Sequence, residues 1–260
     1  MPFETFNRWK PCRHGTLMYN IHDVYIGRSL DIYGEFSEGE IELFQQVVKP
    51  GQVVVEVGAN IGAHTVFLAQ AVGPSGRVLA FEPQRVIYQV LCANLALNSV
   101  PNVHAWHAAV GSAPGEIVVP VLDYRQEHNF GGLSIEGHQF GERVPVMTLD
   151  SFNLQQCYLL KVDVEGMEQS VLQGAVQTIA RCKPILYVEN DRPEKRAALI
   201  RYIDQLGYSM YWHTPPLFNP NNFAGNPQNV FGQIVSVNML CCPKSRPQQV
   251  GLPPVEVPAG

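Results

Sequence analysis

No stretch of this 260-residue chain approaches the ~18 consecutive apolar residues of a membrane-spanning helix, so no membrane partner is expected. A basic excess is also missing. Lys and Arg number 18 against 23 Asp and Glu, and the net charge of −5 gives no field for phosphate backbones. Nucleic acid is therefore not expected as a primary partner. The cysteines at 12, 92, 157, 182, 241 and 242 form no CxxC pair and no zinc spacing, and they read as reduced, buried thiols. The opening residues, MPFETFNRWKPCRHG, lack the apolar core of a secretory signal, so the expected compartment is the cytoplasm. A hydrophobic fraction of 46% over this length suffices for one full core with an accessory lobe.

The chain does hold an alternation of strand and helix signals. Val53–Val57 is mostly β-branched and runs into a turn with two glycines, Gly58 and Gly62, and then into a helical pattern. Further strands are expected at Val78–Phe81, Val103–His107, Tyr158–Asp163 and Ile185–Glu189, with apolar helical spacing between them. Pro184 and Gly207 stop two of the helices, and Asp191 is placed to cap one. Two last strands, Tyr208–His213 and Gln233–Cys241, have no readable helix between them, so they are expected to be antiparallel. The fold class expected is α/β: a three-layer sandwich on a mostly parallel seven-stranded sheet.

Upstream, Thr16–Phe36 is rich in β-branched and aromatic residues and predicts short strands. Ser37–Glu40 matches a capping box for a helix over Ile41–Val48. The expected organisation is a β-rich extension over 1–39 and a main domain over 40–242 with insertions at 116–147 and 213–232. A proline-rich tail over 243–260 is expected to be extended or disordered. The N-terminal β segment is a candidate interface for a homo-oligomer.

Two ligands compete for the first turn. A dinucleotide needs G-x-G-x-x-G, whereas this turn reads Gly58-Ala-Asn-Ile-Gly62 with His64 where a third glycine would stand. S-adenosylmethionine carries no phosphate. Its amino acid end can sit by the Gly58–Gly62 backbone, with Glu56 supplying negative charge. Glu82, at the end of the second strand, can accept both ribose hydroxyls. The small residues Ala108-Ala109 leave room for adenine. The expected donor contacts are Glu56, Gly58, Ala59, Asn60, Gly62, Thr65, Glu82, Pro83, Ala109 and Asp163.

The segments VVEVGANIGAHT, AFEP, AAVGS, VPVMTLDSF, LLKVDVEGMEQSVLQGA and ILYVEND together resemble the FkbM-type S-adenosylmethionine-dependent methyltransferases, over roughly residues 40 to 242. Asp163-Val-Glu-Gly-Met-Glu168 is the most specific piece. The resemblance implies a Rossmann-like methyltransferase fold whose last strand is antiparallel. It also implies methyl transfer to a hydroxyl of a sugar, polyketide or related small metabolite.

Such a hydroxyl is a poor nucleophile near neutral pH and needs a base, a metal or both. Asp163 and Glu165 follow the fourth strand, and Glu189 and Asn190 follow the fifth. Asp163, Glu189 and Asn190 form an oxygen set that suits Mg²⁺. The arrangement is similar to catechol-type O-methyltransferases, except that Gly166 stands where those enzymes carry a lysine. The competing expectation is that Asp163 touches only cofactor or substrate, while Glu189 caps a helix or pairs with Arg192. Catalytic candidates are Asp163, Glu165 and His213, the last chosen because it opens a long irregular loop. Phe218, Asn219, Asn222 and Phe223 in that loop are candidate acceptor contacts. N- or C-methylation, a non-catalytic S-adenosylmethionine-binding module and a nicotinamide oxidoreductase are the alternatives. A nucleic-acid amino methyltransferase would need a proline-proline-aromatic turn after the fourth strand, where this chain has Val-Glu-Gly.

Overall fold

A computed structural model describes residues 5–246 and 251–258. The chain opens with an antiparallel hairpin, β1 (Asn7–Cys12) and β2 (Gly15–Asn20), followed by helices α1 (Ile26–Tyr33) and α2 (Glu38–Val47). The alternation then begins: β3 (Val53–Val57), α3 (Ala63–Val72), β4 (Arg77–Phe81), α4 (Arg85–Leu97) and β5 (Val103–Trp106). An insertion contributes β6 (Ala109–Val110), β7 (Gly115–Val119) and β8 (Glu142–Met147). The second half runs β9 (Leu159–Val162), α5 (Glu168–Gln173), α6 (Val176–Cys182), β10 (Ile185–Glu189), α7 (Pro193–Gln205), β11 (Tyr208–His213) and β12 (Asn238–Pro243).

The main sheet has seven strands in the order β11-β12-β10-β9-β3-β4-β5, with only β12 antiparallel to its neighbours. From β3 the chain winds outward through β4 and β5, and from β9 it winds the other way through β10. Strand order therefore reverses between β3 and β9, which opens a crevice at their carboxyl ends.

Both faces of the sheet are covered, so β3 and β9 are apolar at almost every position. One face packs Val55, Leu160 and Leu186 against α5, α6 and α7. The other packs Val54, Leu159 and Tyr187 against α2 and α3. The helix α3 is buried nearly all round because the sheet, α2 and β2 enclose it.

Several expected boundaries shift. Residues 26–33 form a helix rather than a strand: Asp23 Oδ1 accepts from the amides of Tyr25 and Ile26 at 2.9 and 3.1 Å, which starts helical geometry despite the β-branched composition. The helix expected over Ile41–Val48 begins at Glu38, and Ser37 does not cap it through its side chain. Its hydroxyl instead bonds the Glu40 carboxyl at 2.8 Å. Asp191 does not cap α7 either, because Pro193 starts that helix and Asp191 faces Arg192 Nε at 3.4 Å. The last strand begins at Asn238, and the expected helix after the fourth strand is broken into α5 and α6 at Gly174.

Within the proline-rich tail, residues 247–250 and 259–260 lie outside the described residues. The part between them is extended and anchored. The Trp212 amide donates to Pro253 O and the Val255 amide to Met210 O, which adds backbone pairing to the β11 edge, and Val255 is buried.

The N-terminal segment shares a core with α3 and α4. Asn94, wholly buried on α4, holds the β2 backbone at Met18 and also donates to Ile61 O at 2.7 Å. One amide side chain thus braces the hairpin against the glycine turn. No helix among the described residues is long and apolar enough to cross a membrane.

Candidate functional site

A cavity of about 310 Å³ opens at the β3/β9 reversal. Its floor is the β3–α3 turn, and its walls come from segments distant in sequence. His22–Val24 pairs with His128 through two backbone hydrogen bonds, so Tyr25 and Ile26 form a continuous roof with Asn129–Leu133. Leu217 and Ile234–Asn238 close the far side.

At the floor, Gly58 has φ +84°, and a Cβ there would lie 1.7 Å from the Asp163 carbonyl oxygen. Only a glycine lets β3 and β9 approach this closely at their ends. Gly62 also has positive φ but does not line the cavity. A Cβ on it would strike Leu91, so it serves the packing of α3 on α4. Thr65 likewise lies behind the wall. Its hydroxyl donates to Glu56 Oε2 at 2.6 Å and orients that carboxyl. Ala59, Asn60, Pro83 and Ala109 line the cavity with Glu56, Gly58, Glu82 and Asp163.

Glu82 takes the amide hydrogens of Asn60 at 3.0 Å and Gln84 at 2.8 Å, one on each oxygen. Each oxygen keeps a free lone pair for a ribose hydroxyl. Gln84 also lines the cavity, and its Oε1 is buried without a protein partner.

The sequence reading missed Lys161. It sits mid-strand in β9, 2% exposed, with Nζ 3.0 Å from Asp163 Oδ2 and 3.9 Å from Glu56 Oε1. Burial lowers its proton affinity, but the carboxyls of Asp163, Glu56 and Glu40 more than reverse this and raise it. The signal was available: a lone cation in the apolar run Leu159-Leu160-Lys161-Val162 must find anionic partners. Glu40 and His64 also line the cavity, contributed by α2 and α3.

Carboxyl oxygens of Asp163, Glu165 and Glu189 lie within 4.8 Å of one another. Burial and then the Asp163 charge push Glu189 well above the usual carboxylate range, and Glu165 up to about 7. Glu165 also pairs with Arg192, whereas Glu189 Oε2 is buried with no partner. Asn190 does not join this cluster. Its amide turns into the core toward Met239 Sδ at 3.3 Å, because alternate residues at a strand end face opposite sides.

His213 is also displaced from its expected position. Its Nδ1 lies 2.8 Å from the Tyr187 hydroxyl, and the residue does not line the cavity. Of the loop residues expected to meet an acceptor, Phe218 packs on Tyr33 and Asn219 bonds Glu35. Asn222 closes a turn and Phe223 lies over Gly34. None of them lines the cavity, because the loop is folded onto α1.

Burial raises Glu56 and Glu82 from 4.5 to about 7, and lowers His64 from 6.5 to about 3. Between about 4.5 and 7 the folded chain holds more protons on the two acids than the unfolded chain does. Their contribution is full below the lower value and is lost as pH rises through 7. His64 contributes oppositely, losing stability as pH falls from 6.5 toward 3. Glu165 and Glu189 are raised as well and act in the same direction, so the acids outweigh the one imidazole in the overlap. The ligand-free chain is expected to be more stable near pH 5.5 than near pH 7.5, by at least about 2 kcal/mol. Urea unfolding at both pH values checks this. Equal stability in the wild type, or an undiminished difference in Glu82→Gln, would count against it.

The strand order, the single antiparallel strand β12 and the acid-glycine turn below the reversal define a class I methyltransferase fold. The methyltransferase FkbM domain matches residues 56–210, and the chain belongs to that family. It is 30% identical over 145 residues to Methyltransferase 1 of Beauveria bassiana (strain ARSEF 2860), an alignment covering 46% of this chain and 57% of that protein. It is 29% identical over 154 residues to Methyltransferase sdnD of Sordaria araneosa, covering 46% and 59%. The chain thus spans a little over half the length of these curated relatives.

Among solved structures, methyltransferase FkbM from Methylobacillus flagellatus KT superposes with a TM-score of 0.50 at 18% identity, over 76% of this chain and 50% of that one. Trm5b from Pyrococcus abyssi gives 0.50 at 11% identity, over 93% and 57%. These two likenesses concern the fold alone.

Proposed function

We propose that this chain is an S-adenosylmethionine-dependent O-methyltransferase that acts on a hydroxyl of a small metabolite. The observation that carries the reading is the pair of buried carboxyls on either side of Gly58: Glu56 on β3 and Glu82 after β4. They are held at their inner sides by Thr65 and by two backbone amides, and they line one cavity. Bound S-adenosylmethionine supplies a methyl group made electrophilic by its sulfonium sulfur.

Around it, Glu82 and Gln84 bind the ribose side, and Ala108 and Ala109 leave space for the base. Glu56 and Asp163, both kept beside Lys161, face the ammonium and sulfonium end. In the transfer, the acceptor oxygen forms a bond to the methyl carbon and the carbon–sulfur bond breaks with its electron pair going to sulfur. The hydroxyl proton must leave. With no ion bound, Glu189 in its ionised form is placed to take it: its Oε2 has no protein partner, and the raised proton affinity of that carboxyl makes its ionised form the stronger base.

The hard-oxygen donor set of Asp163, Glu165 and Glu189 also fits a Mg²⁺ ion, which would relieve the repulsion among the three carboxyls and acidify a hydroxyl bound there. In this reading Glu165 takes the place that the sequence assigned to Asn190.

Isothermal titration with S-adenosylhomocysteine tests the donor assignment. Micromolar binding is expected, weakened at least tenfold in Asp163→Ala. Absence of heat on folded protein ends the methyl-transfer reading. A following titration with MgCl₂ is expected to show one site that is lost in Glu189→Gln, and no heat there removes the ion alone.

A further inference from the structure

The cavity has more in it than the donor uses. Beyond the glycine turn its wall is apolar: Phe36 from the segment before α2, and Leu217, Ile234 and Val235 from the loop between β11 and β12. Ile234 and Val235 are each 42% exposed, so the mouth itself is greasy. Set into this wall are two polar atoms with no partner, Glu40 Oε2 and His64 Nε2. Their residues are 5% and 6% exposed. The other Glu40 oxygen is occupied by the Ser37 hydroxyl at 2.8 Å. The His64 ring is fixed between Phe36 and Phe44, at 5.7 Å from each. An ionised carboxylate only accepts hydrogen bonds, and the nearby Tyr187 hydroxyl is engaged with His213 Nδ1 at 2.8 Å, so a ligand that completes Glu40 Oε2 brings a donor.

Charge narrows the class further. The cavity is lined by Glu40, Glu56, Glu82, Asp163, Glu165, Glu189 and Asp191, against a single cation, Lys161, which is already committed to Asp163 and Glu56. The donor's own carboxylate can meet the backbone amides of the glycine turn, whereas an anionic head on the Glu40 side would lose its water and find no free cation among the lining residues.

We propose that the acceptor site takes an amphiphile. Its neutral or cationic head carries hydroxyl or amine donors and docks on Glu40 and His64, and its apolar body runs out past Phe36, Leu217, Ile234 and Val235. Acceptors bearing a carboxylate or phosphate at the head are excluded. The proposal rests on the methyl-transfer reading in that donor and acceptor share this cavity, with Glu56 and Glu82 serving one end and Glu40 and His64 the other.

Three probes with one body and different heads test it: hexylamine, 1-hexanol and hexanoate. Each is titrated by ligand-observed NMR into the full chain saturated with S-adenosylhomocysteine, in buffer free of divalent ions. Hexylamine and 1-hexanol are expected to bind, with hexanoate at least tenfold weaker. Glu40→Gln should weaken hexylamine about tenfold while leaving S-adenosylhomocysteine affinity within twofold. If Glu40→Gln does not fold, Val235→Ser at the rim should weaken hexylamine and 1-hexanol alike by about threefold.

Hexanoate binding as well as hexylamine overturns the proposal. So does failure of hexylamine to bind, or indifference to the substitution made. If S-adenosylhomocysteine itself does not bind, the methyl-transfer reading fails instead. The same three probes on the ligand-free chain then decide the acceptor wall separately.

Discussion

Lys161→Met is expected to cost about 3–5 kcal/mol of stability, the usual penalty for removing one partner of a buried ion pair. The substitution shortens the unbranched side chain by one heavy atom, so little of the loss comes from an empty space. It comes from Glu56, 1% exposed, and Asp163, which are left facing each other without their shared cation. Glu56 would be driven further toward its neutral form, because the cation that now opposes its desolvation would be gone. S-adenosylhomocysteine binding should fall with it, since the donor's ammonium would meet a protonated carboxyl.

Denaturant unfolding and titration calorimetry on the same preparation check both parts. The double variant Lys161→Met, Glu56→Gln should recover part of the stability but not the binding, because it removes the uncompensated charge without restoring the site. A single variant as stable as the wild type would show that the pair contributes nothing to the fold.

Gly58→Ala should be nearly as damaging, for a purely steric reason. The added methyl would fall 1.7 Å from the Asp163 carbonyl oxygen, a backbone atom with no rotamer to relieve the overlap. The positive φ adds strain of about 1–2 kcal/mol for any side chain. The ends of β3 and β9 would have to separate, and Asp163 donates its own amide to Val57 O at 3.0 Å. A total loss of about 3 kcal/mol or more is expected. What folded protein remains should have lost affinity for S-adenosylhomocysteine at least tenfold. Thermal melting and calorimetry read the two effects. A variant that melts like the wild type and binds normally would mean that the turn is looser than its geometry implies.

The strand-end part of the cavity was legible in the sequence because it is local. Glu56 lies near the end of β3, and Gly58, Asn60, Glu82 and Asp163 follow strands whose apolar runs are unmistakable; a parallel sheet delivers strand ends to one edge. The rest of the cavity wall was not legible, because it is assembled from pieces far apart in sequence. The pairing of His22–Val24 with His128 and the α1–loop contacts that turn Phe218, Asn219 and Phe223 away from the cavity have no local signature. His213 was drawn to the site by its place at a strand end. Which side of the strand it faces was decided by pairing: it stands opposite Asn238, and its ring turns toward Tyr187. Asn190 was misplaced for the same reason, one residue of alternation beyond Glu189.

The amino-acid order alone determined the strands of the sheet, the glycine turn and the family, because each rests on patterns a few residues long. Tertiary structure alone decided which carboxyls face one another, which buried atoms are left without partners and how the roof closes. Those outcomes depend on distances between segments that no local pattern encodes, and on burial, which changes the proton affinity of a carboxyl only once the chain around it has folded.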